Sequence, residues 1–491
     1  MKGGLWLAVA RVMVNVFQIV GTVVAAWFLS PSDFGLVAIA TTIAILLNSM
    51  THMQLGEALI RHKQDGDDTV DVAFTLGLLR GLLLAAVILV LAEPVAGFYG
   101  DDRLIGIMQV LSLMPLVLGL TNPRRYLQQR ELIFTYEIII TLTQKFLAMI
   151  VTLTIAFTYQ TYWALVIGAL SEHVFGTILS YLLIRYRPRL RFSGFGRILN
   201  FSVWLTLGAA INTFNWRVEF LLIGKFLGMA PLGIYRMGSN LAQNPTSALM
   251  TPVRQVVFAG FTSVIKDPGS LEDPQRVRNA YQRTQALTTA LALPIGVGFA
   301  LIADPLVRLV LDSRWYDTIY IVQYLSVVFA LQTLGSLVAP LAMARDQTRL
   351  LFIRDTQMLF IRLPMIVFGL YAFALPGVVI ARAISGAIGV TINMFLVRRL
   401  IGLPVLAQLR ANARSLASIA IMAASVSLIS AQFGMIDNRL LLAGQIACEI
   451  LIGGVTYAAA MVGIWWASGK PAGPETEMIG VIHGRLRKAT A

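Results

Sequence analysis

The chain has 491 residues, of which 57% are hydrophobic and 13% are charged, and its mean hydropathy is +0.74. Soluble domains carry about 25% charged residues, so this composition excludes water as the main solvent. The net charge of +14 does not indicate nucleic-acid binding, because the sequence contains no soluble domain with a basic patch or stripe.

Apolar runs recur along the chain, and each is long enough to cross a hydrocarbon core of about 30 Å as a helix. The first run follows Lys2 and ends without a small-x-small cleavage site, so we expect a retained helix and no removed signal peptide. The single Cys448 leaves no internal disulfide and no cysteine metal site. The sequence predicts an all-α polytopic membrane protein with fourteen spans, in chain order 5–29, 34–60, 72–92, 104–121, 132–158, 162–184, 198–223, 231–253, 284–307, 318–342, 355–372, 376–397, 415–433 and 440–466.

Basic residues are distributed unevenly between the two sides of the membrane. Of the 39 Lys and Arg residues, 27 lie in connections on one side and 5 in connections on the other. Cytoplasmic connections retain such residues, so both termini and the connection from Arg185 to Arg197 are predicted to be cytoplasmic. Seven basic residues lie within predicted spans: Arg11, Arg80, Lys145, Arg217, Arg236, Arg362 and Arg382.

Two segment pairs indicate an internal duplication. FLSPSDFGLV at 28–37 matches FLGMAPLGIY at 226–235, and both connect the first and second spans of a six-span set. IMQVLS at 107–112 matches IVQYLS at 321–326, and both begin a fourth span. Glu93-Pro94 and Asp304-Pro305 occur in the same order, each at the predicted end of a third span.

The duplication predicts two six-helix lobes, residues 1–185 and 198–400. Because six is even, the lobes have the same orientation and are related by an axis along the membrane normal, with the substrate path between them. Two further helices are predicted at 413–466, followed by a cytoplasmic tail at 467–491. Chance similarity between apolar segments is the alternative explanation.

Polar side chains form stripes on several predicted helices. Arg11, Asn15, Gln18 and Thr22 share one helical face, and Arg236, Asn240, Gln243 and Ser247 repeat that spacing. A guanidinium donates two parallel hydrogen bonds, which suits a diphosphate, and amides can bind sugar hydroxyls. The predicted lining of a cationic cavity is Arg11, Asn15, Gln18, Arg236, Asn240, Gln243, Lys145, Arg217 and Arg382. The alternative is that these cations snorkel or pair with backbone carbonyls or with Glu57, Glu137, Glu172 or Glu219.

Acidic residues within the spans offer candidate proton sites. Glu172 lies next to His173 in the sixth span, and histidine titrates near neutral pH. Glu137 in the fifth span is the other candidate for proton coupling. A polar packing contact is the alternative explanation for the Glu172-His173 pair.

Four segments resemble one family across nearly the whole chain to about residue 400: FLSPSDFG, PVAGFYGDDRL, RRYLQQREL and LLIGKFLGMAPLGIYRMG. The sequence is similar to Wzx-type polysaccharide flippases, whose superfamily includes lipid II flippases and multidrug and toxin extruders. The resemblance implies export of an undecaprenyl-diphosphate-linked oligosaccharide across the bacterial inner membrane by alternating access, with a polysaccharide polymerase and chain-length machinery as further partners. Related lipid II flippases use arginines on helices one, two and eight; Arg11 and Arg236 match two of them, whereas the second span has no interior Arg.

Two other classes of function are less consistent with the sequence. A multidrug extruder exports cations and needs acidic groups facing its cavity, whereas the polar faces here are mostly basic. A membrane-embedded polymerase or glycosyltransferase needs a sizeable outer loop, and the predicted outer connections are short. The sequence has no Walker A loop and no metal-ligand spacing, so we expect a transporter without enzymatic activity, cofactor or metal.

Overall fold

A computed structural model describes residues 2–51, 67–131, 133, 135–192, 203–266, 274–433, 438–471 and 473. The regular structure in these residues is entirely helical, which confirms the predicted all-α class. Two short 3₁₀ turns, Ser313–Trp315 and Thr333–Gly335, accompany the α-helices. The helices are α1 Lys2–Phe28, α2 Pro31–Met50, α3 Asp67–Tyr99, α4 Arg103–Leu111, α5 Leu113–Gly119, α6 Arg124–Arg130, α7 Thr135–Tyr159, α8 Trp163–Leu183, α9 Val203–Phe226, α10 Met229–Lys266, α11 Pro274–Leu301, α12 Ala303–Val310, α13 Thr318–Gln332, α14 Val338–Ala344, α15 Thr348–Ile401, α16 Val405–Ser430 and α17 Arg439–Ala467.

In the part of each predicted span that the structure describes, the residues lie almost entirely on helix. The fourth comprises α4 and α5, the tenth comprises α13 and α14, and α15 contains both the eleventh and the twelfth. Among the described residues, nine helices are long and apolar enough to cross a membrane, judged by length and composition, with α15 counted once. Large apolar side chains such as Val90, Phe360 and Leu440 are exposed on these helices. Such a surface is stable when hydrocarbon surrounds it.

α15 is a helical hairpin. Phe373 and Ala374 leave the helical conformation, and Ala374 has a φ of 51°. The two arms touch through glycines, since a Cβ added to Gly377 would lie 1.9 Å from the carbonyl oxygen of Gly369. Pro376 follows the turn and disfavours helical geometry in the residue before it. The turn therefore lies at the predicted boundary between spans eleven and twelve.

Some predicted boundaries were wrong. Glu93-Pro94 was predicted to end the third span, but α3 continues to Tyr99 with Pro94 inside it. A proline removes one helical hydrogen bond, a loss that a long membrane helix tolerates. The ninth span was predicted to begin at residue 284, but α11 begins at Pro274, because helix formation continues through polar turns. Asp304-Pro305 lies in the first turn of the separate helix α12, where proline needs no hydrogen-bond partner.

The chain packs as two compact units, Met1–Met237 and Gly238–Ala491. In the first unit α7 packs against α1 and α8, α3 packs against α5, and α9 packs against α2. The first unit therefore contains α9 and the start of α10 as well as the helices of the predicted first lobe. The lobe boundaries at 185 and 198 remain a prediction.

In the second unit the last two helices pack against each other and against α11. α16 packs against α11 and α17, and α11 also packs against α13. An apolar core joins α11 to α16 through Leu293, Val297 and Met422. The Tyr457 hydroxyl of α17 donates a 2.7 Å hydrogen bond to the carbonyl oxygen of Ala290.

The same ion pair precedes the fourth span of each predicted repeat. Asp101 accepts from the backbone N–H of Arg103 at 3.1 Å and from its Nε at 2.9 Å. Asp312 accepts from the backbone N–H of Arg314 at 3.1 Å and from its Nε at 2.9 Å. The hydrogen bond from Arg103 lowers the pKa of the Asp101 carboxyl. Recurrence of this local structure supports the proposed duplication.

Candidate functional site

Local hydrogen bonds determine where α2 begins, and α2 carries Thr41, one residue of the candidate site. Ser30 accepts a hydrogen bond from the backbone N–H of Asp33 at 3.3 Å, and Asp33 Oδ2 accepts from the backbone N–H of Ser30 at 2.9 Å. This capping box, with Pro31 as the first helical residue, satisfies amides that would otherwise lack partners. Thr41 follows ten residues after Pro31, about 15 Å along the helix.

Two arginines predicted to bind substrate lie near each other in the first unit. Arg236 is in the second turn of α10, and its Nη1 donates to Thr41 Oγ1 at 3.2 Å. The Thr41 hydroxyl donates in turn to the carbonyl oxygen of Val37 at 2.7 Å. Arg217 on α9 acts electrostatically on Arg236, so two guanidinium groups share one region.

Among the described residues, the charged groups that act on Arg217 and Arg236 carry an excess of positive charge. Its guanidinium carbon lies 5.6 Å from the centre of the Phe220 ring, an arrangement that favours a cation. Glu219 on the same helix is buried and interacts electrostatically with Arg217. One carboxylate and the two guanidinium groups of Arg217 and Arg236 carry a net charge of about +1 when all are ionised.

Lys145, another predicted substrate contact, forms an ion pair with a predicted proton site. Its Nζ lies 2.8 Å from Glu172 Oε2, and these side chains are 19% and 26% exposed. The pair joins α7 to α8, which also meet where a Cβ at Gly176 would lie 2.1 Å from Gln144 Oε1. His173 is partly buried beside Glu172. In this conformation the carboxylate of Glu172 neutralises the charge of Lys145.

Glu137, the other predicted proton site, is held by an arginine from the preceding short helix. Arg125 donates to Glu137 through Nε at 3.2 Å and through Nη2 at 2.6 Å. This bidentate geometry is that of a strong Arg–carboxylate ion pair. Its role in proton coupling remains a prediction.

Arg80 has a local partner set that sequence reasoning did not identify. Its Nη2 donates to the backbone carbonyl oxygen of Asn48 at 2.8 Å and to Asn48 Oδ1 at 2.5 Å, while its Nε donates to Thr51 Oγ1 at 3.1 Å. These contacts bind the end of α2 to α3. They match the alternative in which an intramembrane arginine is held by carbonyl oxygens and polar side chains.

The remaining predicted site residues are spread over both units. Asn15 is half-buried and Gln18 exposed on α1, while the side chain of Arg11 and all of Glu57 lie outside the described residues. Asn240 and Gln243 are half-buried on α10, which also carries Arg236. Arg382 is fully buried in the second unit, with its guanidinium carbon 5.7 Å from the centre of the Phe329 ring.

No group of three or more His, Cys, Asp or Glu side chains that could hold a metal occurs within the described part of the chain.

Residues 24–320 match the family described as polysaccharide biosynthesis protein. The chain belongs to this family. It is 24% identical over 405 residues to the lipopolysaccharide biosynthesis protein WzxC of Escherichia coli (strain K12), covering 81% of this chain and 78% of the relative. It is 22% identical over 475 residues to the teichuronic acid biosynthesis protein TuaB of Bacillus subtilis (strain 168), covering 94% and 95%. The family predicted from the four sequence segments is thereby confirmed.

Solved structures of the predicted superfamily share the fold. The lipid II flippase MurJ in an inward closed conformation has a TM-score of 0.71 at 16% identity, covering 95% of this chain and 99% of that chain. An inward-facing multidrug resistance transporter of the MATE family has a TM-score of 0.62 at 13% identity, covering 80% and 98%. These similarities confirm the polytopic all-α architecture of a multi-pass membrane protein.

Proposed function

We propose that this protein is a flippase that moves an undecaprenyl-diphosphate-linked oligosaccharide from the cytoplasmic to the outer leaflet of the bacterial inner membrane. The observation that carries the proposal is Arg236 within a membrane helix of the first unit, hydrogen-bonded to Thr41 at 3.2 Å and in the electrostatic field of Arg217. The names of WzxC and MurJ, a polysaccharide biosynthesis protein and a lipid II flippase, agree with it.

The energetics of cations within membrane helices favour an anionic ligand at this place. An arginine at the centre of a bilayer costs about 2.5–3.5 kcal/mol on insertion scales. Two neighbouring arginines repel each other, and one carboxylate offsets only half of their charge. A diphosphate supplies the missing negative charge, and pairs of its phosphate oxygens accept the two parallel hydrogen bonds of a guanidinium fork.

Cation export is the principal alternative because the MATE fold is shared. A cation exporter needs carboxylates that are available to its substrate. Here Glu172 is paired with Lys145 and Glu137 with Arg125. The paired carboxylates and the net positive charge beside Thr41 support anion transport instead.

The same proposal includes the protein's topology and its partners in the membrane. Both termini lie in the cytoplasm, as the distribution of Lys and Arg predicts. The flipped product is the substrate of a polysaccharide polymerase and its chain-length machinery on the outer face. The protein moves its substrate without making or breaking a covalent bond, so it is a transporter and not an enzyme.

Reconstituted vesicles test the proposal directly. The assay follows the appearance of a fluorescent undecaprenyl-diphosphate oligosaccharide in the opposite leaflet. We expect Arg236→Ala to reduce the rate at least tenfold and Arg236→Lys to retain part of it, because lysine keeps the charge without the fork. The matched control, Arg314→Ala, removes an arginine from an outer connection and should flip at the normal rate. Normal flipping by Arg236→Ala, or efflux of a cationic dye without lipid flipping, would contradict the proposal.

A further inference from the structure

The N-terminal turns of α2 and α10 contact each other in the first unit. A Cβ added to Gly35 would lie 1.8 Å from the carbonyl oxygen of Met229. A Cβ added to Gly233 would lie 1.8 Å from the carbonyl oxygen of Pro31. The two helices therefore cross with their backbones in direct contact, which only glycine permits at these two positions.

The residues on the two sides of this contact are equivalent in the sequence duplication. The offset of 198 residues that aligns Phe28 with Phe226 also aligns Pro31 with Met229 and Gly35 with Gly233. Gly35 thus contacts Met229, and its equivalent Gly233 contacts Pro31, the equivalent of Met229. Such isologous contact is the signature of a two-fold axis, and here the axis relates two repeats within one chain.

Further contacts between the repeats lie on the same side of the membrane. The Tyr99 hydroxyl at the end of α3 donates to the carbonyl oxygen of Leu221 on α9 at 3.2 Å. The Lys225 ammonium of α9 lies 4.4 Å from the centre of the Phe98 ring. The distribution of Lys and Arg predicts that these helix ends face outward. The crossing therefore lies in a layer of contacts at the outer ends of α2, α3, α9 and α10.

The hydrogen bond between Arg236 and Thr41 lies just inside this layer. Arg236 is three residues beyond Gly233 on α10, and Thr41 is six residues beyond Gly35 on α2. At 1.5 Å per residue these positions are about 5 and 9 Å further into the membrane. The duplication pairs Arg236 with Ala38, so only one repeat carries a cation at this position.

We propose that the crossing at Gly35 and Gly233 is the outer closure of the transport path, and that Thr41 is a positioning residue that holds Arg236 while the path is closed. Movement of α10 away from α2 separates the glycines and removes Thr41 from Arg236 in one step. Arg236 binds the diphosphate, so outward opening changes the contacts of a substrate-binding residue. Release of the substrate is thereby linked to the opening. The inference rests on the proposed function for the identity of the anion, but not for the closure itself.

Labelling of a single cysteine tests the closure without any substrate. Ala38 is buried between Gly35 and Thr41 on the same face of α2. In a Cys448→Ala background, Ala38→Cys reports access from outside to a membrane-impermeant maleimide added to whole cells. Gly35→Ala and Gly233→Ala should each raise the labelling rate about tenfold, because overpacking destabilises the closed contact.

Gly97→Ala is the matched control, since a Cβ at this outer position of α3 would have no atom within 4 Å. Its labelling rate should equal that of the parent. Gel filtration in detergent identifies variants that fold. Folded Gly35→Ala and Gly233→Ala proteins that label no faster than Gly97→Ala would overturn the closure.

Substitutions at Thr41 test the positioning role and keep the glycines intact. Thr41→Val removes the acceptor of the Arg236 hydrogen bond at nearly constant volume, whereas Thr41→Ser retains it. Labelling of Ala38→Cys should rise several-fold in Thr41→Val and return to the parent rate in Thr41→Ser. In an Arg236→Ala background, Thr41→Val should have no further effect. An equal increase with and without Arg236 would overturn the positioning role. Faster labelling in a protein that does not flip the lipid would refute only the proposed substrate.

Discussion

The ion pair between Lys145 and Glu172 offers the sharpest test of how this protein accommodates charge within the membrane. Lys145→Met and Glu172→Gln each leave one ionised group without its partner, and the double variant removes both charges. The Nζ to Oε2 distance is 2.8 Å, and about four fifths of the Lys145 side chain is buried. The pair therefore has strong attraction and a substantial desolvation cost.

The structure sets the expected magnitudes. Removing one partner of a fully buried pair costs about 3–5 kcal/mol. The residual exposure of 19% and 26% lets water screen the remaining charge, so we expect about 2–3 kcal/mol for each single variant. The double variant should lose less than about 1 kcal/mol, because two neutral side chains of similar size fill the same space.

Thermal unfolding in detergent measures these differences. Both single variants should unfold at lower temperature than the double variant, which gives a coupling energy of about 3 kcal/mol or more. Arg103→Met is the matched control, because it breaks an ion pair whose arginine is 48% exposed and should cost less than about 1 kcal/mol. Additive effects of the two single substitutions would refute the reasoning.

The double variant also distinguishes a structural role of the ion pair from a role in transport. If Lys145 and Glu172 serve only to join α7 to α8, the double variant flips lipid at nearly the normal rate. Loss of flipping in a stable double variant would instead support the predicted roles of Lys145 in substrate binding or of Glu172 in proton coupling.

Two further predictions concern topology and the α15 hairpin. Lys and Arg residues strongly favour one side of the membrane. Ser193→Cys should therefore resist a membrane-impermeant maleimide added outside, whereas Asn438→Cys should react. Labelling of Ser193→Cys would contradict the predicted orientation. Gly377→Ala should lower the stability of the detergent-purified protein by about 1–3 kcal/mol, because its Cβ would lie 1.9 Å from a carbonyl oxygen. Gly444→Ala, with no atom within 4 Å of its Cβ, should leave the unfolding temperature nearly unchanged, and equal losses in both variants would contradict the hairpin contact.

The sequence by itself determined the architecture of this protein. Hydropathy predicted fourteen spans, and their described residues lie almost entirely on helix, because a helix in hydrocarbon must be apolar along its whole length whatever packs against it. The boundary between the spans of α15 was also predictable, since Pro376 interrupts the apolar run. Boundaries at Pro94 and Pro274 were less well predicted, because proline inside a long membrane helix and polar turns beyond the hydrocarbon both permit helix to continue.

Only the tertiary structure decided which polar residues meet. Helical spacing predicted a face containing Arg236, but its partner Thr41 is 195 residues away and carries no signal in the local sequence. Pairing of Lys145 with Glu172 was one of several alternatives that the sequence left open, and the packing of α7 on α8 selects it. The duplication aligned Gly35 with Gly233, yet their contact depends on how the two helices cross. Periodicity gives the faces of a single helix, whereas partner choice depends on the rotation and separation of neighbouring helices, which are properties of the assembled bundle.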